Sequence, residues 1–202
     1  MNYKLIKEFV DLLQEYDQQT TDYQADMLVF SKWLHQKMLI ESAMTEPEWD
    51  GKSNGRSADS VINTLLVHLS RYAKLHAKNA IQDSIFSTSD EFIYLISLKS
   101  YGAMNKTALI KMNVHEKSAG IQIINRLLIM ELVEQIPDLQ DKRNKIIHLT
   151  EKGRQELEGI MGKIRHASSL VTGNMTHSEK MELIRLLSKL ELHHKSEFNG
   201  IF

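Results

Sequence analysis

Apolar residues along much of this chain recur every three or four positions, the period of a helix that buries one face. Leu5, Ile6, Phe9, Val10 and Leu13 predict a helix over residues 1–16. Tyr23, Met27, Phe30, Leu34 and Met38 predict another over 20–44. Pro47, Gly51 and Gly55 lie among small polar residues at 45–59 and predict a linker. Helical spacing resumes over 60–81 and again over 89–99, the second helix with Ser89 as its cap and Glu91 behind it. Gly102 breaks that helix, and Asn105 can cap a short one over 106–112 with Leu109, Ile110 and Met112 inward. Asn113 stands where a left-handed residue would close it. Val114 and His115 then turn into a helix of about sixteen residues. There the period changes. Residues 132–136 show alternation and β-branched content and 145–149 supply the return strand, which predicts a two-stranded ribbon with a charged tip. Thr150 caps a helix over 151–172, and Thr176, with Glu179 three residues on, caps a last one over 178–194.

Two helices joined by a tight turn form a helix-turn-helix, whose second member lies in the DNA major groove. At ~100° per residue the faces of that second helix separate. Ile123, Ile124, Leu127 and Gly120 share an inward arc. Ser118, Gln122 and Asn125 share the outward one, with Lys117 and Ile121 on one edge and Arg126 on the other. Amide and hydroxyl side chains of this kind can read base edges, whereas a merely solvated face favours Glu/Lys pairs. The ribbon that follows carries Lys142, Arg143 and Lys145. A charged tip alone is usually a solvated turn; the helix pair before it favours DNA.

Residues 100–153 resemble the winged helix-turn-helix of the MarR (multiple antibiotic resistance regulator) family. The resemblance rests on Asn125-Arg126-Leu127 followed by Glu131-Leu132-Val133-Glu134, on Pro137-Asp138 with Asp141-Lys142-Arg143, and on Leu149-Thr150-Glu151-Lys152-Gly153. It implies that Arg143, oriented by Asp141, enters the minor groove from the wing tip. The chain departs from the family at Leu139, where many members have a second proline, at Lys142 for the common arginine, and at Glu131 for the usual glycine. The fold implied is mostly α: a winged helix-turn-helix with a small β-ribbon, flanking dimerisation helices and an N-terminal helical extension. Residues 1–44 are the extension, 45–59 the linker and 60–202 the winged-helix domain, with the helix-turn-helix at about 105–131, the wing at 132–149 and dimerisation helices at 60–81 and 151–194. Members of the family interleave their first and last helices with those of a second copy. Here Val61, Leu65, Leu69 and Tyr72, then Met181, Ile184, Leu187 and Leu190, supply the two stripes, so a homodimer is expected.

Composition narrows the function classes. A net charge of −1 means that any DNA binding must come from a local patch. With no cysteine, disulfides, thiol catalysis and cysteine redox sensing are excluded. No run of eighteen apolar residues and no signal-peptide pattern occurs, so a cytoplasmic protein with no membrane partner is expected. His166, His193 and His194 do not make a metal site, because adjacent helical residues project ~100° apart. No phosphate-cradling glycine loop or Ser/His/Asp setting points to an enzyme, and no cofactor is expected. The ten methionines read as core filler, with the lining of an apolar effector pocket as the minor alternative. The expected function is a homodimeric transcriptional regulator, a repressor, on pseudo-palindromic double-stranded DNA, released by a small-molecule effector. Lys106, Thr107, Lys117, Ser118, Gln122, Asn125, Arg126, Asp141, Lys142, Arg143 and Lys145 are its expected DNA contacts. The alternative is a winged-helix protein-interaction module without DNA binding.

Overall fold

The computed structural model describes residues 2–19, 26–44, 46–137 and 145–198. They fall into two compact units, Met1–Val61 and Ile62–Phe202. In the first, α1 (Tyr3–Gln19) and α2 (Met27–Met44) meet through aromatic rings. Phe30 packs edge-on against Phe9 and Tyr16, with centroids 5.7 and 5.2 Å away, and stacks on Trp33 at 5.9 Å. Lys37 pairs with Glu15, and Trp33 Nε1 donates to Gln19 Oε1. The second helix starts at Met27, where Asp26 Oδ1 accepts the Leu28 N–H at 2.9 Å; residues 20–25 of the expected helix lie outside the described residues. Phe30 is buried and Leu34 half-buried as expected, whereas Met27 and Met38 are exposed; Tyr23 lies outside the described residues.

The expected linker is a closed turn. Gly51 and Gly55, with φ of 86° and 82°, let the chain reverse so that the Arg56 N–H reaches the Gly51 carbonyl. Trp49 Nε1 donates to the Arg56 carbonyl, and the Lys52 ammonium sits 4.6 Å from the Trp49 ring centroid between Glu46 and Glu48. Ser57 Oγ then accepts the Ser60 N–H, and α3 (Ala58–Ala80) runs on from it.

The second unit is built on α4 (Ser89–Tyr101), α5 (Lys106–Met112), α6 (Lys117–Ile129) and α7 (Glu151–Thr172), with α8 (His177–Phe198) last. Tyr94, Leu95, Leu109, Ile124, Leu127, Leu132, Ile147 and Leu157 form the centre of its core. The sheet has three strands where the sequence predicts two. β2 (Val133–Pro137) and β3 (Lys145–Leu149) pair antiparallel, Val133 opposite Leu149 and Pro137 opposite Lys145. β1 (Met104–Asn105) adds to the other edge of β3, Met104 opposite Ile147. Val133, Ile147 and Leu149 point inward, as the alternation requires.

Helix α4 is preceded by Thr88, not Ser89, in the extended conformation of an N-cap; the Glu91 carboxylate reaches back to the Ser87 N–H at 2.7 Å and the Thr88 N–H at 3.4 Å. Helix α6 ends as a Schellman turn, the Leu132 N–H bonding to the Leu127 carbonyl around Glu131 at φ 60°. The family glycine that Glu131 replaces therefore stands at a left-handed position. Helix α7 starts against that turn. Thr150 Oγ1 donates to the Glu131 carbonyl (2.8 Å) and accepts the Gly153 N–H (3.0 Å), and a Cβ on Gly153 would lie 2.0 Å from the Leu132 carbonyl oxygen. Along α3 and α8, Leu65, Leu69, Tyr72, Met181, Ile184, Leu187 and Leu190 remain exposed in the single chain.

Candidate nucleic-acid interface

Helix α5 is started by Asn105, whose Oδ1 accepts the Ala108 N–H at 2.8 Å. At its other end Asn113 Nδ2 donates to the Leu109 carbonyl at 2.8 Å, and Asn113 Oδ1 accepts from Ser97 Oγ of α4 at 3.1 Å. Asn113 keeps φ at −93° and the left-handed position falls on Val114, φ 53°, contrary to the sequence expectation. The amide is engaged in tying α5 to α4, so the exposed residue after it makes the turn.

Beneath that turn lies a polar group. Tyr94 of α4 is fully buried, with its hydroxyl 3.3 Å from His115 Nδ1. His115 Nε2 is 3.7 Å from Asp90 Oδ2, also on α4. Burial, reinforced by the Asp90 charge, pushes the Tyr94 phenol up to about 12, so it keeps its proton at neutral pH. Gly120 lets α6 approach this group: a Cβ there would lie 2.5 Å from Ile110 Cγ1 and 2.9 Å from the Tyr94 oxygen. Gly120, Ile123, Ile124 and Leu127 are buried, and Lys117, Ser118, Gln122 and Asn125 form the exposed face, as the helical periodicity predicts.

Arg126 stands apart from that face. Its Nε donates to Glu91 Oε1 at 2.8 Å, and the Glu91 side chain has no solvent exposure. The same carboxylate takes the two N–H groups before α4, so Arg126 balances a buried charge and joins α6 to α4.

Lys106 and Thr107 open α5, and Lys145 opens β3. Two clefts of about 570 and 670 Å³ meet at Lys106, Thr107 and Lys111. One continues past His115, Glu116 and Lys117 of the turn and α6; the other reaches Gln135 and Lys145 on the wing. Four lysines thus border adjoining space, with Glu116 the acidic residue in its lining. Lys111 was not among the expected contacts, although it follows Thr107 by four residues and so shares its helix face. Asp141, Lys142 and Arg143 lie outside the described residues.

A third cleft, of about 390 Å³, opens between α3, α4 and α7. Ala77, Phe92, Ile93, Ile164, Ala167 and Val171 give it apolar walls, and Lys74 and Asp90 place opposite charges on them. Among the described residues, no helix is long and apolar enough to cross a membrane.

Comparison with known proteins agrees with this geometry. Residues 86–153 match a family described as a winged helix DNA-binding domain. Over 103 residues the chain is 32% identical to the HTH-type transcriptional repressor NicR of Pseudomonas putida, a match covering 51% of this chain and 65% of NicR, just under two thirds of that protein. The fold is that of Bordetella bronchiseptica BpsR, whose DNA binding is regulated by 6-hydroxynicotinic acid (TM-score 0.61, 20% identity, 72% of this chain and 98% of BpsR). It is equally that of a mutant MarR from E. coli complexed with operator DNA (TM-score 0.59, 22% identity, 64% of this chain and 92% of that one). Fold, domain match and the sequence shared with NicR agree with the motifs on either side of the wing, and make the chain similar to the MarR winged helix-turn-helix proteins.

Proposed function

We propose that the protein is a homodimeric transcriptional repressor that binds pseudo-palindromic duplex DNA through α6 and the wing. The observation that carries this reading is the cationic cleft system on one face of a chain whose net charge is −1. A local lysine-bordered groove beside a helix face of serine and amides suits phosphates and base edges, and supports DNA over a protein-interaction module. Lys106, Thr107, Lys111, Lys117 and Lys145 take the phosphates in this reading, while Ser118, Gln122 and Asn125 face the bases. Arg143, with Lys142 beside it and Asp141 orienting it, enters the minor groove.

Dimerisation is supported by the exposed stripes on α3 and α8, which a second copy would cover. Two recognition helices would then sit about one DNA turn apart, ~34 Å. The cleft between α3, α4 and α7 is a place for a small effector carrying an apolar body and a charged group, and regulation of BpsR's DNA binding by 6-hydroxynicotinic acid supports an effector of that size. Occupancy there would shift the spacing of the two helices and lower affinity. Measuring duplex affinity against salt tests the reading. Lys145→Ala should weaken all sequences about equally and flatten the log–log salt slope by roughly 0.9. Salt-independent binding, or none, would sink it.

A further inference from the structure

The turn before the recognition helix is held from below by a group that also lines the cleft between α3, α4 and α7. Asp90 contributes to that cleft wall and stands 3.7 Å from His115 Nε2. The other ring nitrogen of His115 lies 3.3 Å from the Tyr94 hydroxyl, which keeps its proton. With Tyr94 as the donor, the neutral ring carries its proton on Nε2, directed at Asp90. Tyr94 in turn lies against Gly120, in the first half of α6. We propose that Asp90, His115 and Tyr94 form a latch that positions the start of the recognition helix and closes when His115 takes up a proton.

The chemistry gives the sign. At a separation of 3.7 Å the neutral ring has a weak contact with Asp90; protonation at Nδ1 turns that contact into an ion pair in a partly buried place, with the Tyr94 hydroxyl turned to accept the Nδ1–H. The groups around the imidazole are Asp90 and Tyr94 from α4, Glu116 and Lys117 at the start of α6, and Lys106 and Lys111 across the cleft on α5. Closing the latch orders the turn at Val114 and adds positive charge beside the lysine-bordered cleft. Both effects tighten DNA binding as pH falls. Because Asp90 also lines the cleft between α3, α4 and α7, a molecule there that engages the carboxylate draws it from His115 and releases the turn.

The inference rests on the DNA-binding reading, and its test separates the two. Affinity of the protein for a mixed-sequence duplex is measured at pH about 8 and about 6, across the imidazole range. Amide-exchange protection of residues 114–120 is followed without DNA. The parent should bind about fivefold tighter at the lower pH, and 114–120 should gain protection. His115→Gln and Asp90→Asn should each lose most of both responses. His148→Gln should keep them; that imidazole pairs with Glu134 across β2 and β3 at 3.5 Å and supplies the control. A pH response unchanged in Asp90→Asn would overturn the latch, since that variant keeps the histidine charge and loses only its partner. If no duplex binds at either pH, the DNA reading fails, and the exchange measurement still decides: protection equal in parent and variants overturns the latch.

Discussion

Replacing Arg126 by methionine would distinguish a residue that joins α6 to α4 from one that grips DNA. The change removes the charge and keeps much of the packing volume. It leaves the Glu91 carboxylate without solvent exposure, still accepting the Ser87 N–H at 2.7 Å and the Thr88 N–H at 3.4 Å. Breaking a fully buried pair costs about 3–5 kcal/mol. Here the Arg126 side chain is 41% exposed, and two backbone donors remain, so about 2–3 kcal/mol is the reasonable range. For a chain of this size that lowers the melting temperature by about 5–10 °C, read by far-UV circular dichroism at fixed protein concentration. Glu91→Gln removes the orphaned charge, so the double variant should be less destabilised than the two single changes added together. Stability within about 0.5 kcal/mol of the parent, combined with uniformly weakened duplex binding, would refute the assignment and return Arg126 to the DNA contacts.

Val114→Gly should stabilise the fold by about 1 kcal/mol in urea denaturation, since an exposed β-branched residue at φ 53° is relieved at the cost of some chain entropy. Gly153→Ala should destabilise by about 3 kcal/mol or more in the same assay, because its methyl would meet the Leu132 carbonyl oxygen and neither helix α7 nor the Schellman turn can move independently. Leu69→Glu or Leu187→Glu should yield monomer or aggregate by light scattering at micromolar concentration, each placing a charge within an exposed apolar stripe; an unchanged dimer would move the interface elsewhere.

The parts that could be read in the sequence are those fixed by neighbours along the chain. Asn105, Thr150 and Thr176 each cap the helix that follows, and each bond spans three residues. The two faces of α6 and the inward set of β3 follow from period alone. What escaped depends on partners distant in sequence or on competition between equivalent signals. Arg126 is among the expected DNA contacts, and its bond to Glu91, 35 residues away, cannot be seen from spacing. Strand β1 has two residues without strand propensity and exists only because the turn at Gly102 brings Met104 beside Ile147. Thr88 outranked Ser89 as the cap through the reach of Glu91, and Asn113 gave the left-handed position to Val114 once its amide was bound on both sides. Glu131 could be read as the position of a missing glycine, and the backbone there is indeed left-handed. Lys111, which lines both clefts, stands four residues after Thr107 on the same helix face, a relation that spacing alone contains.

Selection of bound sequences from random duplex DNA, with Gln122→Ala run beside the parent, tests the central claim most directly. The parent should enrich an inverted repeat whose half-sites lie about 10 base pairs apart, centre to centre. Gln122→Ala should lose on the order of 1–3 kcal/mol at one base pair in each half-site, and the preference there should relax while the rest of the motif persists. No enrichment by the parent across salt concentrations would contradict sequence-specific DNA recognition by this protein, and a motif identical in both proteins would remove Gln122 from the bases.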